Sequence, residues 1–269
     1  MEKLQAALAK ARSQRDKRGD QGTSARRTKA AMPQPASSAW ERLAQQDLSE
    51  EVLRKHLIVS QQANQASSSF DVLRTRVLLQ MQQNDWTRLA ITSPAPSSGK
   101  TTIACNLALG LGRQNDLRTM LFDFDLGDPS IHEFFGIDQK GDFSDVLFGK
   151  IPLQDHAVRV RDNVAVVTSF NADPDPTRLL LSDQMEAFIT SAHETYQPDI
   201  MIFDLPAILS GDRARAFLKT VDCALIVALA NRTKLNHFDA CEREVAESTN
   251  VLGVVLNGCH PSAMSQEDM

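Results

Sequence analysis

Apolar and polar positions along this chain follow two periods that take turns. Short, largely apolar runs at Arg88–Thr92, 118–125, 163–169, 199–204, 223–228 and 251–257 read as strands buried on both faces. Between them, apolar residues recur every three or four positions at 70–83, 103–111, 130–135, 144–148, 176–193, 213–220 and 234–247, the spacing of amphipathic helices. In the first of these, Phe70, Leu73, Val77, Leu78 and Met81 share one face, and that helix is expected on the sheet edge. Strands alternating with helices predict right-handed βαβ units, hence an α/β fold with a mostly parallel sheet flanked by helices. No internal repeat interrupts this order.

The ends break the pattern. Residues 1–19 could form a short helix with Leu4, Ala7, Leu8 and Ala11 on a narrow stripe, and 20–39 is a linker rich in small and polar residues and proline. The stretch 40–69 shows no obvious chemistry, and 260–269 reads as a frayed tail. The expected organisation is a basic, largely disordered arm and linker over 1–60, one globular domain over 61–262 and a tail over 263–269. Charge sharpens the division: residues 1–30 hold nine lysines and arginines against three acids, a local +6 that leaves −11 on the rest of a chain of net charge −5. An acidic body argues against nucleic acid as a partner. The arm reads either as a contact for anionic lipid or an acidic partner, or as a solvated tail; composition favours the tail. No apolar run reaches the length of a membrane span, and the N-terminus lacks the apolar core of a secretory signal, so a cytoplasmic protein is expected. Cys105, Cys223, Cys241 and Cys259 form no close pair and read as reduced thiols.

The candidate chemistry begins where the first strand ends. The stretch 90–102 (AITSPAPSSGKTT) places a loop of small residues between a strand and a helix, the layout that cradles phosphate on backbone N–H groups at a helix N-terminus. Pro96, Ser97, Ser98, Gly99, Lys100, Thr101 and Thr102 would line it. Lys100 would reach the β- and γ-phosphates and Thr101 would ligate Mg²⁺. Against the spacing G-x-x-x-x-G-K-[ST], the first glycine is replaced by Pro94. A Gly-Lys-Thr triplet occurs by chance in many loops; the flanking strand and helix raise this one above chance. A carboxylate at a neighbouring strand end is needed beside such a loop to hold Mg²⁺. Asp204, after four apolar residues and before Leu205-Pro206, fits that place. Asp123 and Asp125 close another strand, both on one face by its period of two.

The order of phosphate loop, Asp-x-Asp, apolar-Asp-x-Pro and Val-Val-Leu-Asn resembles the bacterial tyrosine kinases of capsule and exopolysaccharide synthesis. These belong to the deviant-Walker branch of P-loop ATPases, with the partition and septum-placement ATPases. The segments FDVLRTRVLLQ, ITSPAPSSGKTTIACNLALGL, MLFDFDLGDPSIHEFFGI, FDLPAILSGDRARAFLKTVDCALIVALA and NVLGVVLNG carry the resemblance over roughly 68–258. A loop without its first glycine is usual in that family. The resemblance implies a P-loop fold, ATP and Mg²⁺ as cofactors, and phosphoryl transfer to protein tyrosine. Lys100 and Thr101 would then serve phosphate and metal, and Asp123 and Asp125 would support Mg²⁺ and activate the attacking hydroxyl. Asp204 would be the Walker B acid, and Asn257 would sit where relatives contact adenine. It further implies a separate membrane partner that controls polysaccharide chain length, self-association, and a place at the inner face of the plasma membrane, with the arm as one docking point.

Four departures qualify that picture. The usual arginine-rich continuation after Asp-x-Asp-Leu is here Gly127-Asp128-Pro129, and the paired prolines after Walker B become Pro206-Ala207. The spaced Glu…Arg…Arg motif of ring assembly reads Ser68…Asp71…Arg74. The C-terminal tyrosine cluster is missing from a chain whose one tyrosine is Tyr196, read as structural. Cluster autophosphorylation is therefore excluded, and three readings stand: a kinase acting on other proteins, an ATP-hydrolysing assembly switch for export machinery, and, weakest, a partition- or septum-type ATPase that positions cargo.

Overall fold

The computed structural model of the chain describes residues 38–138 and 141–259. The helix read at 1–19, the basic arm, all but the end of the linker at 20–39 and the tail after 259 lie outside the described residues. In chain order the elements are α1 (Ser38–Glu41), β1 (Ala44–Gln45), α2 (Glu50–Lys55), α3 (Ser68–Gln83), β2 (Arg88–Thr92), α4 (Lys100–Leu111), β3 (Thr119–Asp123), α5 (Ile131–Phe135) and α6 (Phe143–Leu147). There follow α7 (Leu153–His156), β4 (Val158–Arg161), β5 (Val164–Val167), α8 (Pro176–Leu180), α9 (Asp183–Tyr196), β6 (Ile200–Asp204), α10 (Arg213–Leu218), β7 (Cys223–Leu229), α11 (Leu235–Ala246) and β8 (Asn250–Asn257).

The strands form one sheet in the order β1-β4-β5-β3-β6-β2-β7-β8. Every pairing is parallel except β4 with β5, so β1 and β4 run against the other six. The mostly parallel sheet read from the sequence is thus present, with one hairpin that the apolar pattern did not reveal.

Alternation along the central strands builds two cores. Ala90, Met120, Phe122, Met201, Phe203, Ala224 and Ile226 face one layer, where α9, α10 and α11 pack. In it Phe122 stacks on Phe203 at 5.0 Å and Phe124 meets Phe217 edge-on at 4.9 Å. Burying each such ring stabilises the fold by roughly 2 kcal/mol. Leu89, Ile91, Leu121, Ile200, Ile202, Leu225 and Val227 face the other layer, which holds α3, α4 and α5. Because Asp123 follows Leu121 by two and Asp204 follows Ile202 by two, both acids belong to the face that carries α4.

Helix α4 is buried along almost its whole length, which is why its sequence is apolar on every side. It lies between the sheet and α3, so α3 packs on this helix and not on the sheet edge where the sequence placed it. Arg113 on the following turn pairs with Asp71 of α3 at 2.6 Å, and Asp71 also meets Arg74 at 3.2 Å. The one polar side chain sealed in α4 beyond its first turn, Asn106, is fully used. Its Oδ1 accepts the N–H groups of Val59 and Ser60, and its Nδ2 donates to the carbonyls of Leu57 and Thr102.

That tie shows why the boundary at residue 60 was misplaced by composition: the compact unit begins at Ser38. Trp40, Leu43, Leu53 and Ile58 are all buried, Trp40 Nε1 donates to Asp162 O at 2.8 Å, and β1 pairs with β4. The single helix read at 176–193 is two. Ser182 has extended backbone and starts α9, its hydroxyl donates to Leu179 O, and the preceding Leu181 is exposed. The apolar period crosses the break because Leu180 and Met185 enter the same core from separate helices.

Candidate active site

The site forms where β2, β6 and β3 end side by side. Ile91 pairs with Asp204, and Asp204 with Asp123, so the two acids are register neighbours at adjacent strand ends. The loop between β2 and α4 turns back through left-handed backbone at Ser97 (φ 57) and Gly99 (φ 86). Position 94 carries no such turn, so proline, with its ring-fixed negative φ, is accommodated where the common motif has glycine. Ser93 and Ser98 hydroxyls both donate to Ala95 O at 2.7 Å and close the loop on itself. A side chain at Gly99 would collide with the carboxamide of Asn257, whose Nδ2 donates to Ser98 O at 3.0 Å.

Lys100 opens α4 and is buried, yet makes no hydrogen bond or ion pair with any described residue. The next residue, Thr101, donates its hydroxyl to Asp204 Oδ2 at 2.6 Å. Asp123 Oδ2 accepts the N–H groups of Ser130 and Ile131, both at 2.9 Å, and the Thr168 hydroxyl at 3.2 Å. The remaining oxygens, Asp123 Oδ1 and Asp204 Oδ1, are sealed from solvent and have no hydrogen-bond partner among the described residues.

Electrostatics follow from that packing. Burial, then the Asp204 charge, push Asp123 up to about 8, although its three donors oppose the shift. Burial raises Asp204 as well, to about 6, held lower by Lys100 and the Thr101 hydroxyl. Asp125 stands just past the end of β3, partly buried; burial raises it while Lys100 and Arg213 lower it.

Two unpartnered carboxylate oxygens and a threonine hydroxyl make an all-oxygen donor set for a hard divalent cation, with Lys100 beside it as a counter-charge for phosphate. Among the described residues no cluster of three or more His, Cys, Asp or Glu is placed for a metal. Two carboxylates suffice for Mg²⁺, which keeps water and phosphate as further ligands. A cleft of about 190 Å³ opens beside the loop, walled by Pro94, Pro96 and Ser98 on one side and Leu229, Arg232 and His237 on the other. A larger cleft of about 330 Å³ between α2 and residues 57–64 is lined by no residue of the phosphate loop, and the chemistry favours the smaller one, which is lined by that loop.

The structure therefore brings together Lys100, Thr101, Asp123, Asp125 and Asp204, and sets Asn257 against the loop. Pro96 and Ser97 are exposed at its rim, Ser98 is buried, and Thr102 lends its carbonyl to Asn106. Sequence reading missed Thr168, Arg213 and the two N–H donors at 130 and 131, because tertiary placement alone recruits them. Tyr196, the last residue of α9, is buried in the core, and burial raises its pKa.

A strand, a phosphate-type loop, a helix and flanking carboxylates at parallel strand ends define a P-loop nucleotide-binding protein. The profile of the CobQ/CobB/MinD/ParA nucleotide binding domain matches residues 89–269, and the chain belongs to that family. It is similar to tyrosine-protein kinase YwqD of Bacillus subtilis, 28% identical over 195 residues that cover 71% of this chain and 81% of the relative. Tyrosine-protein kinase etk of Escherichia coli K12 is 27% identical over 204 residues, 75% of this chain, which spans only 28% of that protein. In three dimensions it is similar to the kinase domain of Escherichia coli tyrosine kinase ETK, with a TM-score of 0.65 and 26% identity over 72% of this chain and 76% of that one.

Proposed function

We propose that the chain binds Mg·ATP and transfers the γ-phosphate to an acceptor outside its own fold. That acceptor is a tyrosine of another protein or, in a hydrolytic assembly switch, water. The observation that carries this reading is the pair of buried, unpartnered oxygens on Asp123 and Asp204 beside Thr101 and Lys100. Thr101, Asp123 and Asp204 would hold Mg²⁺, which when bound neutralises phosphate charge and orients the oxygens. The loop N–H groups and Lys100 bind the phosphates. The cleft at Leu229 and Arg232 takes the base, with Asn257 at its edge. Asp125, outside the metal set and with raised pKa, accepts the acceptor's proton. The acceptor oxygen bonds to the γ-phosphorus as the bridging P–O bond breaks, leaving ADP.

Tyrosine transfer is supported by the names of the relatives, and an external acceptor by the burial of Tyr196. A separate membrane protein of polysaccharide export is the partner this reading implies, at the inner membrane face. Among the described residues no helix is long and apolar enough to cross a membrane. The test is incubation with γ-labelled Mg·ATP, with and without the cytoplasmic segment of a candidate partner. Label on partner tyrosine, lost in Asp123→Asn, supports the kinase reading; free phosphate alone supports the switch. Absence of both would overturn phosphoryl transfer.

A further inference from the structure

Arg213 begins α10, the helix that follows the loop after Asp204. Its guanidinium occupies the space that a Cβ on Gly127 would fill, so any side chain there would collide with it. Gly127 stands two residues beyond Asp125, so the cation is seated over the loop that leaves β3. The neighbouring acid is occupied: Asp212 Oδ1 accepts the Thr177 hydroxyl at 3.0 Å. Arg213 itself, half-buried, forms no hydrogen bond or ion pair with any described residue. Lys100 and Arg213 are the two cations whose charge acts on the Asp125 carboxyl, which sets them about the same acid.

A half-buried guanidinium without a partner is costly to keep and is normally retained for an anion. Its planar fork suits phosphate oxygens better than an ammonium does. We propose that Arg213, admitted over the β3 loop by the missing side chain of Gly127, is a second phosphate-binding cation that engages the terminal phosphate of the bound nucleotide opposite Lys100. This rests on the Mg·ATP reading above and assigns that site a residue outside the loop and its acids. Gly127 is then part of the device: it makes room for the guanidinium.

The test is calorimetric titration of the full chain with Mg·ATP and with Mg·ADP, on wild type, Arg213→Ala, Arg213→Lys and Gly127→Ala. A lost charge-assisted contact weakens binding by about tenfold or more. Arg213→Ala is expected to lose that factor for Mg·ATP and to keep Mg·ADP affinity, with Arg213→Lys between. Gly127→Ala, which displaces only the flexible end of Arg213, should reproduce the Arg213→Ala loss, and the double variant should add nothing further. Equal loss for both nucleotides, or none for either, would overturn the proposal and leave Arg213 as a counter-ion of Asp125. A wild-type chain that binds neither nucleotide would overturn the proposed function, and this assignment with it.

Discussion

Replacing Asp123 by asparagine tests the electrostatics of the site without deleting any volume. In the folded chain this carboxyl keeps its proton up to about pH 8, against an ordinary value of 3.8 in the unfolded chain. The sign follows: a carboxyl whose folded value is raised stabilises the fold fully below the unfolded value, and that stability is lost as pH rises through the folded one. Between pH 6 and 8 the folded state holds one proton more, a slope of at most about 1.4 kcal/mol per pH unit. Integrated over that window, the nucleotide-free protein should lose about 2 kcal/mol. For a domain of this size the melting temperature then falls by roughly 4–8 °C. The asparagine carbonyl can accept the Ser130 and Ile131 N–H groups as Oδ2 does, and its amide would take the place of the unpartnered Oδ1. Asp123→Asn should therefore flatten the profile to the smaller contribution of Asp204 and be the more stable protein at pH 8. Differential scanning fluorimetry from pH 6 to 8, without nucleotide, reads this directly. Mg·ATP should raise the wild-type melting temperature most at the alkaline end, where no proton competes for Asp123, and the variant's far less. Parallel profiles for the two proteins, or a variant less stable at pH 8, would refute the argument.

Lys100→Met should abolish nucleotide binding by fluorescence titration while the melting temperature of the free protein holds; normal affinity would remove the loop from the site. Gly99→Ala forces a side chain onto φ 86 and into the Asn257 amide, so chemical denaturation should show a loss of about 1–2 kcal/mol. A neutral Gly99→Ala would mean that the loop relaxes freely. Tyr196→Phe should leave label transfer to a partner and phosphate release unchanged, since the ring is packed in the core; loss of transfer would make that phenol the acceptor.

The part of this site that could be read in the chain is the part whose chemistry is local. Gly99-Lys100-Thr101 and the acids ending β3 and β6 announce themselves because a phosphate cradle needs a strand, a turn and a helix in succession. The acids, in turn, end runs that must be buried. What was not legible depends on partners distant in sequence. The two residues of β1 have no period of their own and are strand only because β4 lies beside them. Residues 57–60 look like solvent-facing linker until the Asn106 carboxamide claims their N–H and carbonyl groups. Arg213 is one more surface cation until the fold sets it over Gly127. The break at Ser182 escaped for the opposite reason, since two short helices feeding one core mimic the period of a single long one.

The four thiols have a practical consequence. Cys105 lies sealed beneath Asp123 and Asp204, and burial together with those carboxyls drives its thiol well up. Cys223 and Cys241 are likewise buried and pushed up to about 12. Cys259 alone is exposed, two residues beyond the Asn257 that braces the loop. A maleimide dye added near neutral pH will therefore mark one position of the unmodified chain, at the rim of the phosphate cradle. The natural sequence thus carries its own fluorescent reporter site for the arrival and departure of nucleotide, with no cysteine to remove and none to add.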